Sequence, residues 1–446
     1  MTYTISVYNI SLTIWSIFVN FNKSEVFGKL LEPLKAFQNE NYYSRVCSIL
    51  DDESWIKIGI LRTLSDVDSG RAFLEKLVIE GDDYIPCSHF YGALKSNRRL
   101  DYCQELNNLL TESIKGIPSE KDPFYIFPEL ELFHLFAGDG HYHKAPVHEI
   151  KVGEKVYATQ HFYSLNLRNH MMKPLTLAEY GEDRKKEHDM RALKRMTISD
   201  LRQGAKKGEK VLYVWDKAGI DFAQWHKWKM QGGIYFLSLE KESNNFQDIE
   251  DLIYDKEDSV NYGVAKDEMV STSQGIRIRR VTYICPDTGE IYKFLTNLPK
   301  SIRPGVIAFL YKTRWDIEKK YNTFKHKLYE RRAWAVTENA KIMQAVFICL
   351  THNLTLLFNE EVEKEVAVTK KDLDKQKSRM KKLEKKAKNY GRKVAPHILE
   401  VKRVTELPKK FFNWLRSWVF RDAPWQQAIE KVRILFENPN LVKRTN

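Results

Sequence analysis

The feature that most constrains the fold is a run of six residues, VLYVWD, at positions 211–216. It is apolar up to its last residue and of strand length, with no alternation of polar and apolar positions. That is the composition of a strand covered on both faces, as in α/β sheets with helices above and below. Asp216 closes the run. A carboxylate at the C-terminal end of a buried strand stands where open α/β sheets bind ligands; a loop cap is the plainer use of the same residue. Asp221 can cap a helix over DFAQWHKWKMQ, and GIYFLSLE follows as a second buried strand.

Upstream the pattern differs. Residues 24–117 read as short amphipathic helices (FGKLLEPLKAF, DESWIKIGILRTL, SGRAFLEKLVIE and SHFYGALKSNRRLDYCQELNNLLTESI) separated by Asp, Asn, Gly and Ser turn signals. Asn97, Arg98 and Arg99 form a small basic cluster that could touch DNA phosphates or belong to a helical-bundle surface. Pro123 and Pro128 mark a boundary. Strand patterns follow, LELFHLFAGDGHYHK and then EKVYATQHFYSLNLRNHMMKPLTL, and a charged helix over 183–208. Asp139 sits in FAGDGHYH, where flanking glycines would give a ligand or metal close access to the backbone; Asp-Gly is also a common turn. Beyond GIYFLSLE, residues 241–298 are strand-like, with a hairpin over GIRIRRVTYIC, a PDTGE turn and IYKFLTNL.

A helix is expected from Pro304, since proline costs nothing at a first helical position. At ~100° per residue, Tyr311, Arg314, Glu318 and Lys325 fall within roughly 60° of one another. Val306, Leu310, Ile317, Tyr321, Phe324 and Leu328 form an apolar stripe beside them. A carboxylate held between an arginine, a lysine and a phenol suits a phosphate-and-metal site; solvated charge pairs on an amphipathic helix are the bland alternative.

Tyr-x2-Arg-x3-Glu-x6-Lys over Tyr311, Arg314, Glu318 and Lys325 resembles the C-terminal signature of DDE transposases of bacterial insertion sequences, in the insertion-sequence-four family. Asp216-x-Ala218 resembles the second-aspartate motif of that family, with its aromatic, Phe222, one residue late. The likeness covers residues 136–358. It implies an α/β fold: a ribonuclease-H-like catalytic domain with a β-rich insertion, flanked by helical regions. The implied divisions are 1–125 (helical, DNA-binding), 126–240 (first catalytic part), 241–298 (insertion), 299–360 (last catalytic part, with the catalytic helix) and 361–446 (basic helical region).

The same likeness implies that Asp139, Asp216 and Glu318 are a catalytic triad holding two Mg²⁺ or Mn²⁺ ions, for which oxygen ligands are suited. Tyr311, Arg314 and Lys325 would bind DNA phosphates, Arg314 bidentately and Lys325 as a point charge. The implied activity is cut-and-paste transposition of double-stranded DNA by a homodimer in a bacterial cytoplasm, with a base flipped onto an aromatic. Trp225, Trp228, Tyr292 and Trp315 are candidates for that platform. The alternatives are a transposon-derived DNA-binding protein without catalysis, or another ribonuclease-H-like nuclease.

Charge agrees with a polyanionic partner. Residues 361–446 carry 23 Lys and Arg against 11 Asp and Glu, a net of +12 out of +13 for the chain. The Lys-rich stretch 370–393 is a helix face or linker suited to non-specific phosphate contact. Five widely spaced cysteines without a CxxC pair argue against a disulfide framework and a zinc ribbon, and suit a reducing compartment. His141 and His143, with His134 and His148 nearby, could share a strand face as zinc ligands; support of Asp139 or DNA contact fits better, since no cysteine lies close. No signal peptide or membrane span is expected.

Overall fold

A computed structural model describes residues 24–37, 50–113, 122–149, 151, 155–179, 187–286, 288–328, 330–366 and 409–437, with isolated positions between 378 and 389. Most of the Lys-rich stretch 370–393, and Cys47, lie outside the described residues.

The N-terminal region forms α1 (Glu25–Lys35), α2 (Asp52–Leu64), α3 (Gly70–Ile79), α4 (Cys87–Leu94) and α5 (Asn97–Ser113). Ser24, Asp51 and Ser69 cap the first three, each side chain accepting the backbone N–H of the third residue of its helix. Strands β1 (Phe133–His143), β2 (Thr159–Asn166) and β3 (Met172–Leu177) follow, then α6 (Asp189–Arg195), α7 (Ile198–Arg202), β4 (Lys210–Val214), α8 (Phe222–Gly232) and β5 (Ile234–Leu239). Next come β6 (Phe246–Asp251), β7 (Val264–Thr272), β8 (Arg277–Ile284) and β9 (Ile291–Thr296). The remaining described elements include α9 (Pro304–Thr313), α10 (Trp315–Lys327), α11 (Glu338–Val366) and the helices Lys409–Val419 and Trp425–Glu437.

The nine strands among the described residues join one mixed sheet, in the order β3-β2-β1-β4-β5-β9-β8-β7-β6. β1, β4 and β5 run parallel and every other pairing is antiparallel. Segment 241–298 is therefore built into the sheet, since β9 pairs with β5 and β8 with β9.

The apolar run at 211–216 accounts for the layering. Val211, Tyr213 and Trp215 join a core with α6, α7 and α8 on one face, while Leu212 and Val214 join a second core with α9, α10 and α11 on the other. The second core also takes in both terminal regions. Ser24 Oγ donates to the Trp418 carbonyl (2.8 Å), and the Trp425 amide donates to Glu25 (2.7 Å). α11 is long and apolar enough to cross a membrane, but 83% of its most apolar window is buried in protein, as befits a central core helix.

The helix expected from Pro304 is not continuous. It breaks at Arg314, where the Arg314 amide donates to Tyr311 O (3.1 Å) and the Ile317 amide to Arg314 O (3.1 Å). These three-residue spans replace the four-residue ladder and tighten the chain by a local 3₁₀ turn. α10 ends at Lys327, and α11 begins at Glu338.

Candidate active site

β1 and β4 are parallel neighbours, and their last paired residues are Ala137 and Val214. Two positions further along each comes a carboxylate, Asp139 and Asp216. With side chains alternating between faces, both belong to the face of Ala137 and Val214, under α9 and α10. Asp216 is fixed by its own turn: Oδ1 accepts the Ala218 amide (2.8 Å) and its carbonyl accepts the Ser238 hydroxyl (2.8 Å). The capping role weighed from sequence is thus present at this residue too.

The flanking glycines act differently from the sequence expectation. A Cβ on Gly138 would lie 1.7 Å from Trp215 Cζ3, and one on Gly140 would lie 2.7 Å from Gln160 Nε2. Gly138 makes room for an indole on the opposite face of the sheet, and does not open a path for a ligand.

α9 and α10 bring the other partners. Arg314, at the tight turn, is 5% exposed. Its Nη2 donates to Glu318 Oε1 at 2.9 Å, its Nη1 lies 4.0 Å from Asp139 Oδ2, and its buried Nε has no hydrogen-bond partner. Tyr311 is buried against the guanidinium, 5.7 Å from ring centroid to Cζ. Glu318 is half-buried. Asp139, Asp216, Glu318, Arg314 and Tyr311 are therefore neighbours. Lys325 is exposed, seven residues beyond Glu318 on α10. Its charge is felt by His141, two residues beyond Asp139.

The electrostatics follow from burial and crowding. Burial raises the Asp139 carboxyl to about 7; the charges of Asp216 and Asp189 add to this, while the Gly140 amide and Arg314 oppose it. Burial likewise raises the Tyr311 phenol, against the pull of Arg314. For Arg314, burial works against the charge, but Tyr311, Asp139 and Glu318 carry its pKa above the ordinary value. Among the described residues no three His, Cys, Asp or Glu side chains are gathered as a metal site as they stand. A guanidinium lies between two of the candidate ligands.

Tyr321, assigned from sequence only to the apolar stripe, ties α10 to β1. Its hydroxyl donates to the Asp139 carbonyl (2.7 Å) and its ring stacks on His141, with centroids 4.7 Å apart. Asp189, which belongs to no motif, also bears on the site; its Oδ2 accepts from Trp215 Nε1 (3.0 Å).

His141 and His143 are buried beside His161 and Glu330. His141 Nε2 lies 3.4 Å and His143 Nδ1 3.6 Å from Glu330, and Tyr163 donates to Glu330 Oε1 (2.8 Å). Burial raises Glu330 to about 8, with the Tyr163 bond opposing it. Burial lowers His141 to about 4, His161 to about 3 and His143 well below its usual value. Burial thus favours the uncharged form of both the acid and the imidazoles.

Arg98 and Arg99 are not a free basic cluster. Arg98 makes a bidentate pair with Asp52 (2.6 and 2.6 Å), and Arg99 Nε lies 3.3 Å from the same carboxylate. Of the four aromatic candidates, Trp225 and Trp228 are buried and stacked on Phe236 (centroids 5.4 and 5.1 Å). Tyr292 stacks on Phe294 and donates to Glu290. Trp315 is 55% exposed and flanks Arg314 (5.1 Å).

The chain matches no protein-family model and no curated protein. The resemblance in its motifs therefore stands on the residues themselves, within a mixed α/β protein whose nine-stranded sheet is flanked by helices.

Proposed function

We propose that the protein is a DNA transposase that cleaves the ends of a mobile element and joins them to target DNA. The observation that carries this reading is the meeting of Asp139, Asp216 and Glu318, from three distant stretches of sequence, with Arg314 and Tyr311 between and beside them. The order of parts also supports it: an Asp on β1, two more strands, helices, β4 leading into an Asp, and a late helix bearing Glu. That is the plan of a ribonuclease-H-like domain, extended here by β6–β9.

The donor set fits hard divalent cations, being all oxygen, and a single cationic head already draws Asp139 and Glu318 toward it. Asp139, Asp216 and Glu318 would hold two Mg²⁺ or Mn²⁺ ions, which supply activation of a water or 3′-hydroxyl and stabilisation of the leaving oxygen. Arg314 has the fork to grip a phosphate through two N–H groups, and the Tyr311 hydroxyl adds a further donor beside it. Tyr321 holds the Asp139 backbone against α10. Trp315 is the candidate with a face free to stack a flipped base. Lys325, further along α10, suits a phosphate outside the reacting centre. Joining two ends calls for two copies of the chain in the active complex.

The test is nicking and strand transfer on duplex DNA carrying the element's own ends. Asp139→Asn, Asp216→Asn and Glu318→Gln are each expected to abolish Mg²⁺-dependent cleavage while end binding persists. Substantial residual cleavage in any of the three overturns the triad. Cleavage without strand transfer would make the protein a nuclease of another kind.

A further inference from the structure

We propose that Arg314 stands in for the metal ion in the free protein, and that DNA phosphate must draw it away before the carboxylates can load. The inference rests on the reading of Asp139, Asp216 and Glu318 as metal ligands.

Several observations converge on this one side chain. The 3₁₀ turn at 314 sets Arg314 at the junction of α9 and α10, and its guanidinium is buried between two carboxylates from different elements. It offers one nitrogen to each, Nη2 to Glu318 and Nη1 toward Asp139. That is the place of a bridging cation. The fit is incomplete: Nη1 reaches only 4.0 Å from Asp139, and Nε is buried without an acceptor. An arginine fully committed to a structural pair would have its donors satisfied. This one keeps a buried Nε donor that a phosphate could take up.

The two occupancies exclude each other. A divalent ion bound by Asp139 and Glu318 would sit against a guanidinium at contact distance, so like charge expels one or the other. Arg314 cannot leave for nothing either, since it would remain a buried charge without a partner. A DNA phosphate at the site supplies that partner and frees the carboxylates in one exchange. Phosphate and metal then help each other bind, and reciprocity requires the coupling to be equal in both directions. The free protein is thereby kept from loading metal, and from nicking, before DNA is seated.

The test is Mn²⁺ binding to the full chain without DNA, by titration calorimetry and by the loss of the free-Mn²⁺ electron paramagnetic resonance signal. Wild type, Arg314→Gln, Asp139→Asn and the double variant are compared. Arg314→Met, which keeps the apolar stem and drops the charge, is measured alongside in case the glutamine variant folds poorly. Removing the charge is expected to tighten Mn²⁺ binding at least tenfold, and Asp139→Asn in the same chain to erase the gain. Wild type with an Asp139-dependent Mn²⁺ site and Arg314 variants no tighter overturns the exchange but leaves the carboxylate site standing. If neither wild type nor the Arg314 variants show Asp139-dependent binding, the metal reading falls and the exchange with it.

Discussion

The indole of Trp215 occupies the space where any side chain on Gly138 would have to begin, with Cζ3 1.7 Å from an ideal Cβ at that position. Trp215 is fully buried, donates from Nε1 to Asp189, and is walled in by Phe162 and Tyr213. It therefore has nowhere to move. Gly138→Ala is expected to overpack this layer and cost about 3 kcal/mol of stability, read as a shifted urea midpoint. Because Gly138 and Trp215 precede Asp139 and Asp216, the same change should cost cleavage activity beyond what the loss of folded protein explains. A variant as stable as wild type would mean that the sheet opens here more easily than its packing indicates.

That pair also shows where sequence reading reached and where it stopped. The shared face of Arg314 and Glu318 was legible because a helix imposes a fixed period, whereas Asp139 and Asp216 were joined to them only by the resemblance. The two-sided burial of 211–215 was legible from its unbroken apolar run. What Gly138 makes room for was not, because the indole belongs to a strand far off in sequence. Arg98 and Arg99 look free in the chain, and only folding brings Asp52 beneath them. The break at Arg314 leaves no Gly or Pro to mark it.

The Asp52 cluster yields a second expectation. Asp52→Ala would take away the carboxylate that Arg98 and the buried Arg99 share. Allowing for the partial exposure of Arg98, the expected loss is about 2–3 kcal/mol, measured by chemical denaturation. Arg98→Ala is expected to leave non-specific DNA affinity unchanged in fluorescence anisotropy, since the guanidinium is engaged within the protein. A clear loss of DNA affinity would return Arg98 to the phosphate contacts suggested by the sequence.

Glu330 sets a third, through pH. The groups facing it are Tyr163, His141 and His143, with Tyr321 and Cys349 within reach of its charge. Its folded pKa, about 8, is raised from 4.5. The unfolded chain therefore ionises first, and stability falls as pH rises from roughly 4.5 to 8. Glu330→Gln keeps an acceptor for Tyr163 and removes the titration. The variant is expected to gain on wild type by on the order of 2–4 kcal/mol between pH 5 and pH 8.5. Parallel stability curves for the two proteins across that range would show that Glu330 ionises normally.

Asp139 carries the same sign in a place where the strain has a use. Its folded pKa of about 7 is raised from 3.8, so the metal-free protein loses stability as pH rises through that window. Asp139→Asn removes the charge and is expected to match wild type near pH 4 and to exceed it by about 2 kcal/mol at pH 8, read as a higher melting temperature. Mg²⁺ should reverse the order in part, by stabilising wild type at pH 8 while leaving the variant unmoved, since a ligand that binds only the folded state stabilises it. Below pH 7 loading metal must release a proton from Asp139, so the Mg²⁺ needed for half-maximal cleavage should rise as pH falls from 7.5 to 6. A variant no more stable than wild type at pH 8, or a Mg²⁺ requirement independent of pH, would mean that Asp139 is already ionised and at ease in the empty site. The raised pKa would then have no part in how the site takes up its ions.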